Sequence, residues 1–273
     1  MRKKLSYLIT YLLLAAGALF TVLPLVFSVL TSLRSKNDLL VHGALALPQP
    51  VTFENYLQLF TEHNFVVPVL VTIQMVLVLI AGQFFASILA AYAFARLRFP
   101  GRDLLFWAYL ATMMIPAIVT TIPLFSMMSL LGLRNTFAGL VVPFLLGSPF
   151  AIFLLRQNFK STPQEILDAA TLDGAGFFRQ LWSIVLPMNR PILVTLLLIT
   201  AVSQWNSFLW PAIVAPEPQW NVLTVATASL QTQYSDNWTL VMAATTMAIL
   251  PLLILFLIFN KQIVRSIGIT GVR

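Results

Sequence analysis

With 273 residues, 59% of them hydrophobic and 9% charged, the chain is too apolar for a soluble globular domain. Its formal net charge of +7 would suit nucleic acid only if the basic residues shared one face, and they lie scattered between long apolar stretches instead. The absence of cysteine excludes disulfides, thiolate chemistry and a cysteine-ligated metal site.

A helix that crosses a bilayer needs about 20 apolar residues to cover about 30 Å of hydrocarbon. Six stretches of that length lack Asp, Glu, Lys and Arg: Leu5–Leu33, His63–Ala95, Leu104–Leu133, Asn135–Leu155, Pro191–Pro216 and Asn237–Asn260. The first begins after Arg2, Lys3 and Lys4, as a signal peptide would, but its apolar run is too long and no small-residue cleavage pattern precedes Arg34. It is expected to be a retained span. The loop after it, roughly Ser35–Asn64, carries Asp38, Glu54 and Glu62, and its spacing predicts an amphipathic helix at Phe53–Phe60.

The second span runs down to a tight basic turn, Arg96-Leu-Arg98-Phe-Pro-Gly-Arg102. Pro116 and Pro123 interrupt helical hydrogen bonding in the third, and Gly147-Ser148-Pro149 falls near the middle of the fourth. A second sizeable outer loop, Ala215–Trp238, separates spans five and six, and a short tail, Lys261–Arg273, ends the chain. With the N-terminus inside, thirteen basic residues fall on the inner side, and only Arg34, Lys36 and Arg134 fall outside. This bias predicts both termini in the cytoplasm.

His42 and His63 are far apart on the outer side and read as ordinary surface residues, not as a metal pair. No span holds an acidic or basic side chain, which disfavours a proton- or ion-coupled carrier. No phosphate-binding Gly-x-x-x-x-Gly-Lys-[Ser/Thr] loop exists, so the chain is expected not to hydrolyse ATP by itself. No serine sits in a nucleophile elbow, which disfavours an intramembrane enzyme.

The stretch Ser161–Pro187 is too polar to span and too patterned to be slack. Thr162 is placed to cap a helix, Pro163 to occupy its first position, and Glu165 to complete a capping box. Leu172-Asp173-Gly174-Ala175-Gly176 ends that helix, and a second run, Phe177–Val185, follows and is closed by Pro187. Ile166, Ala169, Ala170 and Asp173 share one face of the first helix, where two alanines allow close approach and neighbouring acids give charge. That face suits docking to a protein better than to an inner leaflet that repels acids. The second run, with Phe177, Leu181, Trp182 and Val185 on one side, suits a lipid surface.

Glu165-Ile-Leu-Asp168-Ala169-Ala170-Thr-Leu-Asp173-Gly174-Ala175, followed by Ile184-Val-Leu-Pro187, resembles the EAA loop of binding-protein-dependent ABC importer permeases. Asp168 stands where that motif has glutamate. Ala91-Tyr-Ala-Phe-Ala-Arg96 and Gln204-Trp-Asn-Ser-Phe-Leu-Trp-Pro211 extend the resemblance to the maltose-type carbohydrate permeases, of the second-subunit kind. Met242-Ala-Ala and Leu133-Arg-Asn-Thr-Phe-Ala-Gly139 are similar to members for glycerol 3-phosphate or amino sugars, whereas the Gly268–Arg273 ending differs from the usual one.

The resemblance implies an all-α membrane protein with six transmembrane helices and the type I ABC importer fold, in a bacterial cytoplasmic membrane. It implies a first helix and outer loop over 1–64, a transmembrane core over 65–260 that contains a coupling loop at 157–190, and a tail over 261–273. Its partners would be a homologous permease, a pair of ATP-binding cassette subunits that hold ATP and magnesium, and an extracytoplasmic solute-binding protein that contacts Ala215–Trp238. No cofactor would be bound by this chain. Glu165, Asp168, Ala169, Ala170, Asp173 and Gly174 would couple to the ATPase.

For the substrate pathway, Ser203, Asn206, Ser207 and Trp210 fall at i, i+3, i+4 and i+7 near the middle of span five, with Gln74 and Ser148 as further candidates. An aromatic beside hydrogen-bonding groups suits a sugar; packing between helices explains the same pattern equally well. A standalone carrier or channel for a small polar solute is the alternative function.

Overall fold

The computed structural model describes residues 2–234 and 237–268, with side chains from residue 6 to 260 of these, and all regular structure among them is helical. The predicted tail ending Ile269–Arg273, and Ser235 and Asp236 of the second outer loop, lie outside the described residues.

In chain order, α1 (Arg2–Ser32) is followed by two short helices, α2 (Lys36–His42) and α3 (Glu54–Thr61). The long α4 (Val66–Arg96) leads to α5 (Arg102–Ala111), which continues as a single 3₁₀ turn to Met114, and then to α6 (Ala117–Leu130). Next come α7 (Phe137–Val141), α8 (Pro149–Lys160), α9 (Gln164–Leu172), α10 (Phe177–Gln180) and the one-turn α11 (Leu186–Met188). The chain closes with α12 (Arg190–Trp205), α13 (Leu209–Val214), α14 (Leu223–Gln233) and α15 (Trp238–Gly268).

Among the described residues, four helical segments are long and apolar enough to cross a membrane: Ser6–Ser32, Val66–Arg96, Arg190–Val214 and Trp238–Asn260. Two more arise if each bent pair counts as one span. Arg102–Met114 and Ala117–Leu130 meet at 99°, and Phe137–Phe144 and Pro149–Lys160 at 41°. The third predicted span is therefore not a straight helix. Ile115 precedes Pro116 and is extended (φ −83°, ψ 118°), as a following pyrrolidine ring demands, and the helix must restart beyond it. Pro123, by contrast, is carried inside α6. In the fourth, the break falls at Gly147-Ser148 and Pro149 opens α8.

The chain divides into two compact units. One comprises residues 1–67 and 223–254. In it α1 is exposed over most of its length, and burial sets in at Ser28, Thr31 and Ser32. A helix apolar all round and exposed is solvated by lipid, not water. The predicted amphipathic helix at Phe53–Phe60 is present as α3, buried through Asn55 and Leu59. Asn55 donates to the carbonyls of Ser32 (2.8 Å) and Arg34 (2.7 Å) and accepts from Thr239 (3.1 Å), so one side chain ties α3 to the end of α1 and the start of α15. The segment Ala215–Trp238, expected to be a loop, contains α14, which buries Leu223, Val225, Ala226 and Leu230.

An ion pair not foreseen from the sequence ties the segment before α2 to that helix. Arg34 is fully buried; its guanidinium bonds both the carboxylate (2.5 Å) and the carbonyl (2.9 Å) of Asp38 and the carbonyl of Gly43 (2.7 Å). His42 Nδ1 lies 2.8 Å from the second Asp38 oxygen, while His63 packs edge-on against Tyr234. The hydrogen bond from Arg34 is the main reason that the Asp38 carboxyl is held below its ordinary value of 3.8, against the opposing effect of its burial. A lowered folded-state value means that the unfolded chain takes up this proton more readily. The contribution of Asp38 is thus complete above about pH 4 and is lost as pH falls through the folded value. The thermal midpoint of the purified protein should drop on acidification below that point, and Asp38→Asn should be less stable at neutral pH with a flatter acid limb. An unchanged acid slope in the variant would refute the assignment.

The other unit comprises residues 68–222 with the stretch from 255 onward. Its core joins α4, α8 and the segment after α9: Ile88, Ala91, Tyr92, Ile152, Leu155, Phe159, Leu181 and Val185 pack together with Phe106. Two glycines permit close approaches of backbone, one between distant segments and one within a local turn. A Cβ on Gly82 would stand 2.6 Å from the carbonyl oxygen of Leu145, and one on Gly139 would stand 2.2 Å from that of Leu133.

Candidate functional site

The predicted helix of the polar stretch is α9, beginning one residue later than expected. Pro163 (φ −57°, ψ 133°) occupies the position before the first turn, and no side chain caps the helix. Thr162 is buried, and its hydroxyl accepts a bond from Asn189 (3.1 Å), so it is not available for the predicted cap. Glu165 lies exposed in the first turn, and Asp168, also exposed, accepts from Gln164 Nε2 at 2.9 Å.

The end of α9 is as expected. Gly174 is left-handed (φ 78°); its N–H bonds the Thr171 carbonyl (3.0 Å), and the N–H of Ala175 bonds that of Ala170 (2.9 Å). This nested pair is a Schellman stop, which satisfies the Ala170 and Thr171 carbonyls within the chain. Gln180 reinforces it, with Nε2 donating to the Thr171 hydroxyl (2.8 Å) and the Ala175 carbonyl (3.0 Å).

Leu167 is the residue α9 buries. Glu165, Asp168, Ala169 and Asp173 are exposed, Ala170 is half-buried, and Leu172 is 90% exposed. The helix is held from one side and presents the rest outward.

The second run differs from expectation in two ways. It does not stop at Pro187: α10 widens into a π-helical segment, Leu181–Val185, continues through α11, and breaks at Asn189 (φ −104°). Pro187 has no N–H for the carbonyl one turn back, and the N–H of Leu186 reaches five residues back to Leu181, so the ring is accommodated by a wider turn. Nor is its whole apolar side free for lipid. Leu181 and Val185 are fully buried in the core, while Trp182 and Phe177 are about half exposed. Truncating such core side chains costs about 2–5 kcal/mol. The two therefore fix this run to the protein.

The same unit contains a cleft of about 560 Å³ between α4, the α5–α6 break, the α7–α8 break and α12. Gln83, Tyr109, Thr112, Ser148, Thr200, Ser203 and Gln204 supply its polar wall, with no formal charge among its lining residues. The wall is braced from behind. Gln83 donates to the Phe144 carbonyl (2.7 Å), Tyr109 to that of Gly147, and the N–H of Ser148 to the Ser87 hydroxyl (3.1 Å).

Of the predicted pathway residues, Ser203 and Ser148 line this cleft, and the others do not. The expected shared face fails because α12 ends at Trp205 and α13 starts at Leu209, so the helical spacing is broken in its middle. Asn206 caps the break and donates to the Val202 carbonyl (2.8 Å). Ser207 lies in the break, and Gln74 is exposed on α4, about two and a half helix turns before Gln83. Trp210 is buried; its indole N–H bonds the Gly139 carbonyl (3.1 Å) and its ring meets Phe144 edge-on at 5.6 Å. Trp210 thus packs behind the cleft wall. Gln83, Tyr109, Thr112 and Thr200 are not among the residues predicted from sequence, and Gln204 enters there only through the family resemblance. A polar residue in an apolar run was the available signal, and it could not tell a cavity from a helix contact.

The sequence matches, across residues 83–269, the family described as the binding-protein-dependent transport system inner membrane component. The chain belongs to that family. Similar proteins include the arabinooligosaccharides transport system permease protein of Halalkalibacterium halodurans, 31% identical with all of both chains covered. The sn-glycerol-3-phosphate transport system permease protein of Yersinia pestis is 30% identical, over 94% of each chain. The fold is shared with a solved bacterial ABC transporter involved in the import of the acidic polysaccharide alginate: TM-score 0.84, 23% identity, covering 96% of this chain and 97% of that one. The protein is thus a multi-pass membrane permease component of a binding-protein-dependent transporter, not itself an enzyme.

Proposed function

We propose that this permease carries a neutral or weakly charged sugar derivative into a bacterial cell across the cytoplasmic membrane, driven by ATPase subunits that dock on α9. The observation that carries the coupling role is the form of α9: acids and Leu172 exposed, a self-satisfied Gly174 stop, and a firmly packed base. Glu165, Asp168, Ala169, Ala170, Asp173 and Gly174 form the surface the ATPase engages, with Asp168 in the role of the family's usual glutamate. The basic residues sorted to one side of the spans support a cytoplasmic position for this surface and both termini. ATP and magnesium are held by the partners, since this sequence has no phosphate loop. A second, homologous permease completes the pathway, and a solute-binding protein meets the opposite side around Ala215–Trp238. The transmembrane core extends over residues 65–260, after a first helix and loop over 1–64.

For the substrate, relatives named for arabino-oligosaccharides and for glycerol 3-phosphate bracket the polyhydroxylated class. The uncharged amide and hydroxyl wall of the cleft favours a saccharide over a phosphate ester, because a phosphate would need a cation. The test is uptake by proteoliposomes that hold the full complex. ATP and a loaded binding protein should both be required. Paired Ser203→Leu and Gln204→Leu substitutions should raise the KM for uptake by about tenfold, while Asn206→Leu should leave it near wild type. ATP-independent uptake would remove the importer reading, and an unchanged KM in the paired variant would remove the cleft from the pathway.

A further inference from the structure

The ends of α4 and α8 exchange arginines. Arg96, the last residue of α4, donates to the Phe159 carbonyl through Nε (3.1 Å) and Nη2 (2.5 Å), and also to the carbonyl of Thr162. Those carbonyls belong to the last turn of α8 and the link just after it. Arg156 of α8 returns the contact, with Nε donating to the Phe94 carbonyl in the last turn of α4 (3.1 Å). Its guanidinium stacks 3.9 Å over Phe106, and Nη2 lies 3.3 Å from Asp103. The last carbonyls of a helix have no partner within it and carry its negative end. Each helix therefore supplies the cation that caps the other. Neither end can shift without uncovering the carbonyls of both.

Arg96 does one thing more. Its Nη1 donates to Gln164 Oε1 (2.8 Å), and Gln164 Nε2 donates to Asp168 (2.9 Å). Gln164 opens α9, so a single guanidinium holds the end of α4, the end of α8 and the first turn of α9 in one cluster. We infer that Arg96 is the positioning residue for energy coupling. It makes α9 move with the ends of α4 and α8 as one body, so that displacement of α9 reaches the cleft between those helices. A planar five-donor fork is suited to this; an ammonium carries its three donors on one atom and cannot span the separated acceptors as the guanidinium does. The inference rests on the coupling role proposed for α9.

The experiment uses the full complex in lipid. A chain without cysteine accepts a single reporter, so a nitroxide on Leu172→Cys reads the freedom of α9 while unlabelled protein gives uptake per ATP hydrolysed. Arg96→Gln should increase nitroxide mobility and lower uptake per ATP by about tenfold or more, as misplacement of a working element does. Arg96→Lys should fall between it and the wild type, and decides the matter if Arg96→Gln fails to assemble. Wild-type mobility, or wild-type uptake per ATP, in an assembled variant overturns the inference. If Gly174→Val and Ala169→Asp also leave coupling intact, the coupling role of α9 itself is what has failed. If they uncouple and the Arg96 variants do not, only the positioning role falls.

Discussion

Gly174→Val is expected to abolish ATP-driven uptake while the complex still assembles and hydrolyses ATP. Gly174 has φ 78°, and a Cβ built there meets nothing within 4 Å, so the penalty is conformational and not steric. The left-handed region costs an L-residue about 1–2 kcal/mol, and β-branching makes it worse. That is too little to unfold a core held elsewhere. It is enough to break the paired bonds from Gly174 to Thr171 and from Ala175 to Ala170, and so to re-aim the end of α9. Gly174→Asn, whose side chain tolerates this conformation, should retain much of the uptake. Ala169→Asp attacks the same surface chemically by adding a carboxylate beside Asp168 where a partner must approach. The measurement is substrate uptake beside ATP hydrolysis in the same vesicles. Wild-type coupling in both Gly174→Val and Ala169→Asp would sink the assignment. Failure of Gly174→Asn as well would mean that the glycine is needed for a partner's close approach and not for its backbone alone.

Gly82→Leu should have a comparably large effect by another route, through loss of assembled, transport-competent protein. A Cβ at this position would lie 2.5 Å from Leu145 Cδ1 and 2.6 Å from the Leu145 carbonyl oxygen. The methyl could rotate away; the backbone oxygen could not. The Leu145 segment would have to move off α4, and it is held there by the bond from Gln83 to the Phe144 carbonyl at 2.7 Å. Overpacking of this kind costs about 1–3 kcal/mol, to which loss of a buried amide bond adds about 1 kcal/mol. Because Phe144, Leu146 and Gly147 line the cleft, the damage falls on the pathway as well as on stability. The amount of folded protein recovered in detergent and the uptake it supports should both fall. A variant with normal yield and normal uptake would show that the crossing is looser than its geometry states.

The legible parts of this protein were those governed by local chemistry. The span positions followed from charge-free apolar runs, and α4 and α15 lie where these predict, since a bilayer accepts little else. The Gly174 stop was legible because only one backbone region fits there and glycine enters it without strain. Thr162 misled because the cap is one of two uses for a hydroxyl at that position, and a residue 27 places away, Asn189, claimed it. Trp210 misled because the spacing argument assumed an unbroken helix, and α12 ends at Trp205.

By itself, then, the sequence determined a helical membrane protein without a charge in its spans, and a polar helix that ends at Gly174 in a stretch otherwise built to cross lipid. Those features depend on neighbours within a turn or two, or on the solvent. Only the tertiary structure decided that the third predicted span is bent by 99°, that Leu181 and Val185 face the core, and that Ser203 lines a cleft while Trp210 packs behind it. It alone brought Arg96 to the carbonyls of Phe159 and Thr162. Each of these depends on groups far apart in the chain satisfying or excluding one another, and no periodicity within a single helix records that.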